Sequence, residues 1–425
     1  MLTSYILRRG LGGLITTGAL RVILPDGQVL DFGDGSGPPI EVRFADEAAV
    51  WALILDPDLR TGELFTDGRL LVETGTIYDF LCLVLQHAAE AESGPWNALL
   101  DRLRDLQMAL FRRNDRRKAR RNVEHHYDLD DRLYALFLDP DWQYSCAYFE
   151  PAELTLAQAQ KAKQRHIAAK LLIRPSDRVL DIGCGWGGFA CYLAETANAA
   201  EVMGVTLSSE QIKGARARAE ARGLTDRVRF EIQDYRETPG SFDRIVSIGM
   251  FEHVGRANYD SFFRTCAQRL DRDGVMLLHT IGSTEAPGLT NPWITKYIFP
   301  GGHIPSLSEI VAAAERADLI VTDVEVWQLH YATTLRAWRN AFMARRAEAA
   351  ALFDERFCRM WEFYLALSEA AFRHEEVVVF QVQLTHRIGA TPLSRNYIAA
   401  AEADLQARER GPEQPAPVDL PVGPT

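Results

Sequence analysis

The chain is 425 residues long, 47% hydrophobic and 25% charged, a globular composition with room for two domains. Its formal net charge of −11 argues against a general nucleic-acid binder, whose phosphate contacts demand a basic excess. Cys82, Cys146, Cys184, Cys191, Cys266 and Cys358 show no CxxC spacing, so neither a zinc site nor a disulfide framework is expected, and the compartment reads as reducing.

The opening "MLTSYILRRGLGGLITTGAL" is mildly apolar, but its arginines follow the first apolar residues and glycines interrupt any signal-peptide core. No run approaches the roughly 18 apolar residues of a membrane span. The expectation is a soluble cytoplasmic protein. Residues 1 to about 105 set short apolar runs between Pro-Asp-Gly and Asp-Gly pairs, as in "RVILPDGQVLDF" and "TDGRLLVETGT", a hairpin pattern. Helices are expected at 46–56 and 76–91, which gives a small α+β module. A linker, 106–122, carries six arginines and one lysine between 112 and 121. It reads as a solvated face or as a basic stripe on an anionic bilayer, each cation adding about 1 kcal/mol.

From 178 onward the pattern is α/β. "RVLDIG", "AEVMGVT", "RVRFEIQD", "FDRIVSIG" and "GVMLLHTIG" read as strands separated by helical stretches. That alternation predicts a parallel, doubly wound sheet. Before the last strand, "VVVFQVQLTH", comes an aromatic-rich, largely helical insertion. The catalytic unit is expected to span 123–405, and the proline-rich tail 406–425 to be disordered.

In "VLDIGCGWGGF", Gly183, Gly185 and Gly188 follow a strand and open a helix, where glycine lets a ligand approach the backbone. The spacing fits a dinucleotide loop, an S-adenosylmethionine loop, or a tight turn with no ligand. Asp181 just before the first glycine suits a ligand with a cationic amino-acid group. The acidic residue that NAD requires after the second strand is absent; Thr206, Leu207, Ser208 and Gln211 stand there. Asp234 and Tyr235, after the third strand, read either as an adenine-holding and -stacking pair or as an ordinary strand-end turn.

A second set is titratable. Glu252 and His253 follow the fourth strand, His279 ends the fifth, and His330 and Tyr331 open the insertion. A lone buried histidine is usually core, but a Glu/His/Tyr group on one sheet edge is how acid–base sites are assembled. The insertion's aromatics predict an elongated apolar acceptor rather than a small polar one.

Taken in order from about 120 to 400, "QYSCAYFE", "VLDIGCGWGG", "GVTLSSEQ", "FDRIVSIGMFEHVG", "LLHTIG", "KYIFPGGHIPSLSE", "LHYATTLRAW" and "ERFCRMWEFYLA" resemble the cyclopropane-fatty-acyl-phospholipid synthase family, with mycolic acid cyclopropane synthases as near relatives. The resemblance implies a Rossmann-like, doubly wound, seven-stranded methyltransferase sheet with a helical substrate cap, preceded over 1–105 by a sterol-carrier-like lipid-binding domain. It implies transfer of the S-adenosylmethionine methylene to a cis double bond of a phospholipid acyl chain. The alkene attacks the sulfonium methyl, a base removes a proton from the new methyl, and the ring closes. The implied base is a bicarbonate ion in a pocket of Cys146, Glu252, His279, the Ile281 backbone and Tyr331. There His279 and Tyr331 hold the anion, and Glu252 orients the pocket and accepts a proton from it. The expected cofactor set is Tyr144, Ser145, Asp181, Gly183, Cys184, Gly185, Gly187, Thr206, Leu207, Ser208, Gln211, Asp234 and Tyr235. The implied partner is a phospholipid bilayer with unsaturated acyl chains, met peripherally at the inner membrane face, with a homodimer as a further expectation.

Two positions depart from the family pattern: Ser368 replaces a common cysteine, and His303 a common tyrosine. The rival products are methyl- or methylene-branched chains. A silent lipid-binding protein and a methyltransferase acting on nitrogen or oxygen are the rivals from other classes.

Overall fold

The computed structural model describes residues 2–90 and 131–410. The basic run at 112–121, the expected boundaries near 105 and 122, and residues 411–425 lie outside them. The N-terminal module runs α1 (Leu2–Leu14), β1 (Ala19–Ile23), β2 (Val29–Phe32), β3 (Pro39–Phe44), α2 (Glu47–Leu55), α3 (Pro57–Thr66), β4 (Leu70–Thr74) and α4 (Ile77–Glu90). Its sheet has the order β2-β1-β3-β4. The Pro-Asp-Gly turn closes the β1–β2 hairpin, with Gly27 at φ 82. Asp46 caps α2 by accepting from Ala49 N–H, and Asp56 caps α3, with Pro57 in its first turn. Neither α1 nor α3 is legible in the hydrophobic pattern, because glycines interrupt the first and polar residues dilute the second.

Seven strands form the larger sheet: β5 (Arg178–Ile182), β6 (Glu201–Thr206), β7 (Val228–Ile232), β8 (Phe242–Ile248), β9 (Leu270–Ser283), β10 (Ile320–Trp327) and β11 (Val377–Thr385), in the order β10-β11-β9-β8-β5-β6-β7. Strands β5 to β9 are parallel. The last strand departs from the all-parallel expectation, because β11 runs antiparallel between β9 and β10. β10 lies inside the stretch expected to be largely helical. It is a sheet edge with mostly half-buried residues, so its apolar signal is weak. The order reverses between β5 and β8, the switch point where such sheets open a ligand crevice at their carboxyl ends.

The short α5 (Asp131–Tyr134) packs among the aromatics of the cap cluster, and α6 (Leu156–Leu171), α7 (Gly188–Glu195), α8 (Ser209–Ala221) and α9 (Tyr259–Arg269) support this sheet. The cap is α10 (Pro292–Tyr297), α12 (His330–Ala344), α13 (Arg346–Leu352) and α14 (Glu355–His374), while α11 (Leu307–Glu315) packs into the sheet core beside α9. The final helix, α15 (Asn396–Arg410), continues through the expected tail boundary at 405. Among the described residues no helix is long and apolar enough to cross a membrane.

The two modules share one apolar core, in which Leu64, Phe65 and Phe80 meet Trp293, Trp361 and Phe363. Glu63 of α3 is buried and accepts from Lys296 Nζ at 2.6 Å and Tyr297 OH at 2.8 Å, both on α10. Trp293 packs against Gly62, where an added Cβ would come to 2.5 Å from the indole. Gly62→Ala is therefore expected to lower the thermal midpoint. Its helix-propensity gain of about 1 kcal/mol is outweighed by overpacking, typically about 1–3 kcal/mol. Gly10→Ala, in a helix with nothing within 4 Å, should raise or keep it. Scanning calorimetry on the two variants compares like with like.

Candidate active site

The glycine loop turns between β5 and α7 with Gly183 at φ 84, Gly185 at φ 53 and Gly187 at φ 75. Around it one cleft is lined by Tyr144, Ser145, Asp181, Gly183, Cys184, Gly185, Thr206, Leu207, Gln211, Asp234 and Tyr235. Eleven of the thirteen expected cofactor residues thus converge there. Thr206 Oγ1 donates to Gln211 Oε1 at 2.8 Å, which leaves the Gln211 amide N–H groups for a ligand. Asp234 accepts from Arg236 Nε at 2.8 Å, and that guanidinium lies over Tyr235, so this carboxylate is braced rather than free.

Asp181 is the chemically exposed member of this set, although it is sequestered from solvent. Its Oδ2 is buried with no hydrogen-bond partner, and burial, opposed by Lys163, pushes its carboxyl up to about 7. A buried orphan acceptor on a cleft wall fits the ammonium of an amino-acid ligand.

The second set is assembled from distant segments. Glu252 follows β8, and its Oε1 accepts the Ile281 N–H of β9 at 2.7 Å. Its Oε2 is buried without a partner, and burial pushes the carboxyl up to about 7. His279 lies two residues earlier on β9. Lys170 Nζ donates to Gln381 Oε1 at 3.1 Å, so the Gln381 amide turns its N–H groups toward His279 Nδ1, also at 3.1 Å. Nδ1 therefore accepts and Nε2 carries the hydrogen. Burial holds the His279 pKa well below its ordinary value, so the ring is a neutral donor.

Segment 143–150 is clamped against α12: Ala147 N–H donates to Thr334 Oγ1 at 3.0 Å and Phe149 N–H to His330 Nδ1 at 3.1 Å. This clamp puts Cys146 in the same apolar cluster as Tyr331 and Ile281. Tyr331 packs on Phe372, with ring centroids 4.8 Å apart. Glu252 and His279 are thus each fixed at β9, the one a buried carboxyl able to take up a proton and the other a neutral imidazole able to donate.

The family model for mycolic acid cyclopropane synthetase matches residues 114–382. The chain belongs to this family. It is 39% identical over 344 residues to the cyclopropane-fatty-acyl-phospholipid synthase of Escherichia coli K12, covering 81% of this chain and 87% of that one. It is 36% identical over 372 residues to a probable fatty acid methyltransferase of Pseudomonas putida, covering 85% and 91%. The crystal structure of the mycolic acid cyclopropane synthase CmaA1 complexed with SAH and CTAB superposes with a TM-score of 0.59 at 36% identity, covering 62% of this chain and 97% of that one.

Within this cyclopropane synthetase frame, three expected residues have local work too. Gly187 caps α7, and a Cβ there would meet Phe230 at 2.5 Å, so it also serves helix–sheet packing. Ser208 is fully buried and caps α8 by accepting from Gln211 N–H. The Ile281 backbone, implied to meet the anion, gives its N–H to Glu252 Oε1. Gly188, the third glycine of the motif, leaves room for Gln143 Nε2, which a Cβ would approach to 2.4 Å. Sequence reading missed Gln143 and Trp186, which line the cleft, and Gln381 behind His279. His253 lines the cleft too, and burial lowers its pKa to about 4, so it is neutral.

Burial pushes the Cys146 thiol well above its ordinary pKa, which disfavours the thiolate that a nucleophile needs. Cys146→Ser is expected to lower turnover roughly tenfold, the scale of one imperfectly matched buried polar group, with cofactor affinity unchanged. Steady-state rates and calorimetry check this. Complete loss of activity in a folded variant would restore the nucleophile.

Proposed function

We propose that this chain converts a cis double bond of an unsaturated phospholipid acyl chain to a cyclopropane, using the methyl of S-adenosylmethionine. The enzyme class, an S-adenosylmethionine-dependent methyltransferase, follows from family membership. The carrying observation is Glu252, a buried carboxyl with one oxygen fixed on the β9 backbone and one orphaned. Such a group accepts a proton in a dry site without drifting from position. S-adenosylmethionine supplies an electrophilic methyl when bound, and the alkene replaces sulfur as that carbon's partner. Cys146, His279 and Tyr331 would hold a bicarbonate ion, which supplies a base small enough to leave the acyl channel clear. The fit is chemical: the neutral His279 Nε2–H donates to an anion, and Glu252, poised near neutrality, takes up a proton.

The aromatic cap excludes water. Phe299, just after α10, meets His253 edge-on at 5.5 Å and Tyr364 at 5.9 Å, and Tyr364 OH shares a 2.8 Å hydrogen bond with Tyr144 OH. Because Lys296 and Tyr297 of α10 are held by Glu63 of the N-terminal module, that module braces the cap. We infer peripheral contact with the bilayer that carries the substrate. The test is incubation with methyl-labelled S-adenosylmethionine and vesicles of unsaturated phospholipid, followed by mass spectrometry and NMR of the chains. A cyclopropane whose yield falls on bicarbonate depletion supports the reading. A methyl- or methylene-branched chain overturns the ring assignment.

A further inference from the structure

Lys163, on α6, is fully buried. Its Nζ donates to Gln143 Oε1 at 2.7 Å and to Ser145 Oγ at 2.9 Å. Among the described residues it forms no ion pair within 4.0 Å. Asp139, the strongest of its charge partners, has its oxygens on the N–H groups of Asp141 and Gln143. Gln160, one turn earlier, donates to the Gln143 and Ser145 carbonyls at 3.1 and 2.9 Å. One helix thus grips segment 143–145 by both backbone and side chains.

An ammonium has no acceptor to offer. Gln143 Oε1 and Ser145 Oγ must both accept from it, so the Gln143 N–H groups and the Ser145 O–H remain as donors. Gln143, Ser145 and Asp181 line the same cleft. Behind that wall stands Lys163, a buried cation with no carboxylate at ion-pair distance, and in it stands Asp181, a buried carboxylate with an orphaned oxygen whose burial Lys163 only partly offsets. Burial without a direct partner is costly for each. A ligand bearing both charges, an α-amino-acid end, completes the two together.

We propose that Lys163 is the positioning residue for the cofactor's α-carboxylate, forcing Ser145 and Gln143 to donate to it while Asp181 takes the α-ammonium. The proposal rests on reading the cleft as an S-adenosylmethionine site. Calorimetry on the full chain with S-adenosylhomocysteine and with 5′-methylthioadenosine, which lacks the amino-acid end, tests it. The wild type is expected to prefer S-adenosylhomocysteine. Lys163→Met should weaken S-adenosylhomocysteine roughly 10- to 100-fold, the scale of charge-assisted hydrogen bonds, and leave 5′-methylthioadenosine within about twofold.

Retained S-adenosylhomocysteine affinity in Lys163→Met overturns the proposal, as does an equal loss of both ligands. If Lys163→Met does not fold, Ser145→Ala is read the same way, and an unchanged ratio of the two affinities overturns it. A wild type that binds both ligands equally overturns this inference alone. One that binds neither overturns the cofactor reading beneath it.

Discussion

Glu252→Gln is expected to remove most turnover, about 10²- to 10⁴-fold, the range of a lost general base, while S-adenosylhomocysteine affinity stays within about twofold. Glutamine keeps an oxygen that can accept the Ile281 N–H at the 2.7 Å position of Glu252 Oε1, so the β8–β9 geometry survives and only ionisation is lost. The sign of the pH effect follows from burial. The carboxyl sits at about 7 instead of 4.5, and only its deprotonated form accepts a proton. Wild-type turnover should therefore rise with pH through about 7 and then level, and the variant should lack that limb.

Stability moves the other way. The folded state holds the Glu252 proton more tightly than the unfolded chain does. The group's contribution is therefore complete below pH 4.5 and is lost as pH rises through about 7. The glutamine variant should be at least as stable as wild type at alkaline pH. An active variant, or one whose lost turnover tracks a lost fold, would remove Glu252 from the chemistry.

Much of this site was legible because its parts sit at strand ends with the right residue types. "VLDIGCG" marks β5 and its loop, and "GMFEHVG" and "LLHTIG" place Glu252 and His279 at the carboxyl edge through strand length alone. What stayed hidden is long-range and polar. Lys163 and Lys170 carry no motif signal, and nothing local shows that one faces Gln143 and Ser145 and the other Gln381. Gln381 reads as a polar break in a strand until its partner, 102 residues away, is known. Motif position nominated Gly187 and Ser208 as ligand contacts, and the fold adds a local duty to each: both are helix N-caps, Ser208 through its hydroxyl. Packing against the N-terminal module was equally invisible, since a glycine such as Gly62 has no pattern that announces a tryptophan against it.

Asp181→Asn should weaken S-adenosylhomocysteine roughly 10- to 100-fold, as a charge-assisted contact becomes a neutral one. In the free protein the Asp181 carboxyl sits at about 7 because it is buried, with Lys163 only partly offsetting that burial. A ligand ammonium needs the carboxylate, so binding has to remove the proton first. Affinity should climb by up to tenfold per pH unit below about 7 and flatten above it, whereas the asparagine variant should show no such climb. The same substitution removes a buried ionisation that costs the empty protein stability at alkaline pH, so the ligand-free variant should melt no lower than wild type there. That pairing separates a binding role from a structural one. A merely structural Asp181 would lower the melting point and weaken S-adenosylhomocysteine and 5′-methylthioadenosine alike. A carboxylate that reads the ammonium weakens only the ligand that carries one.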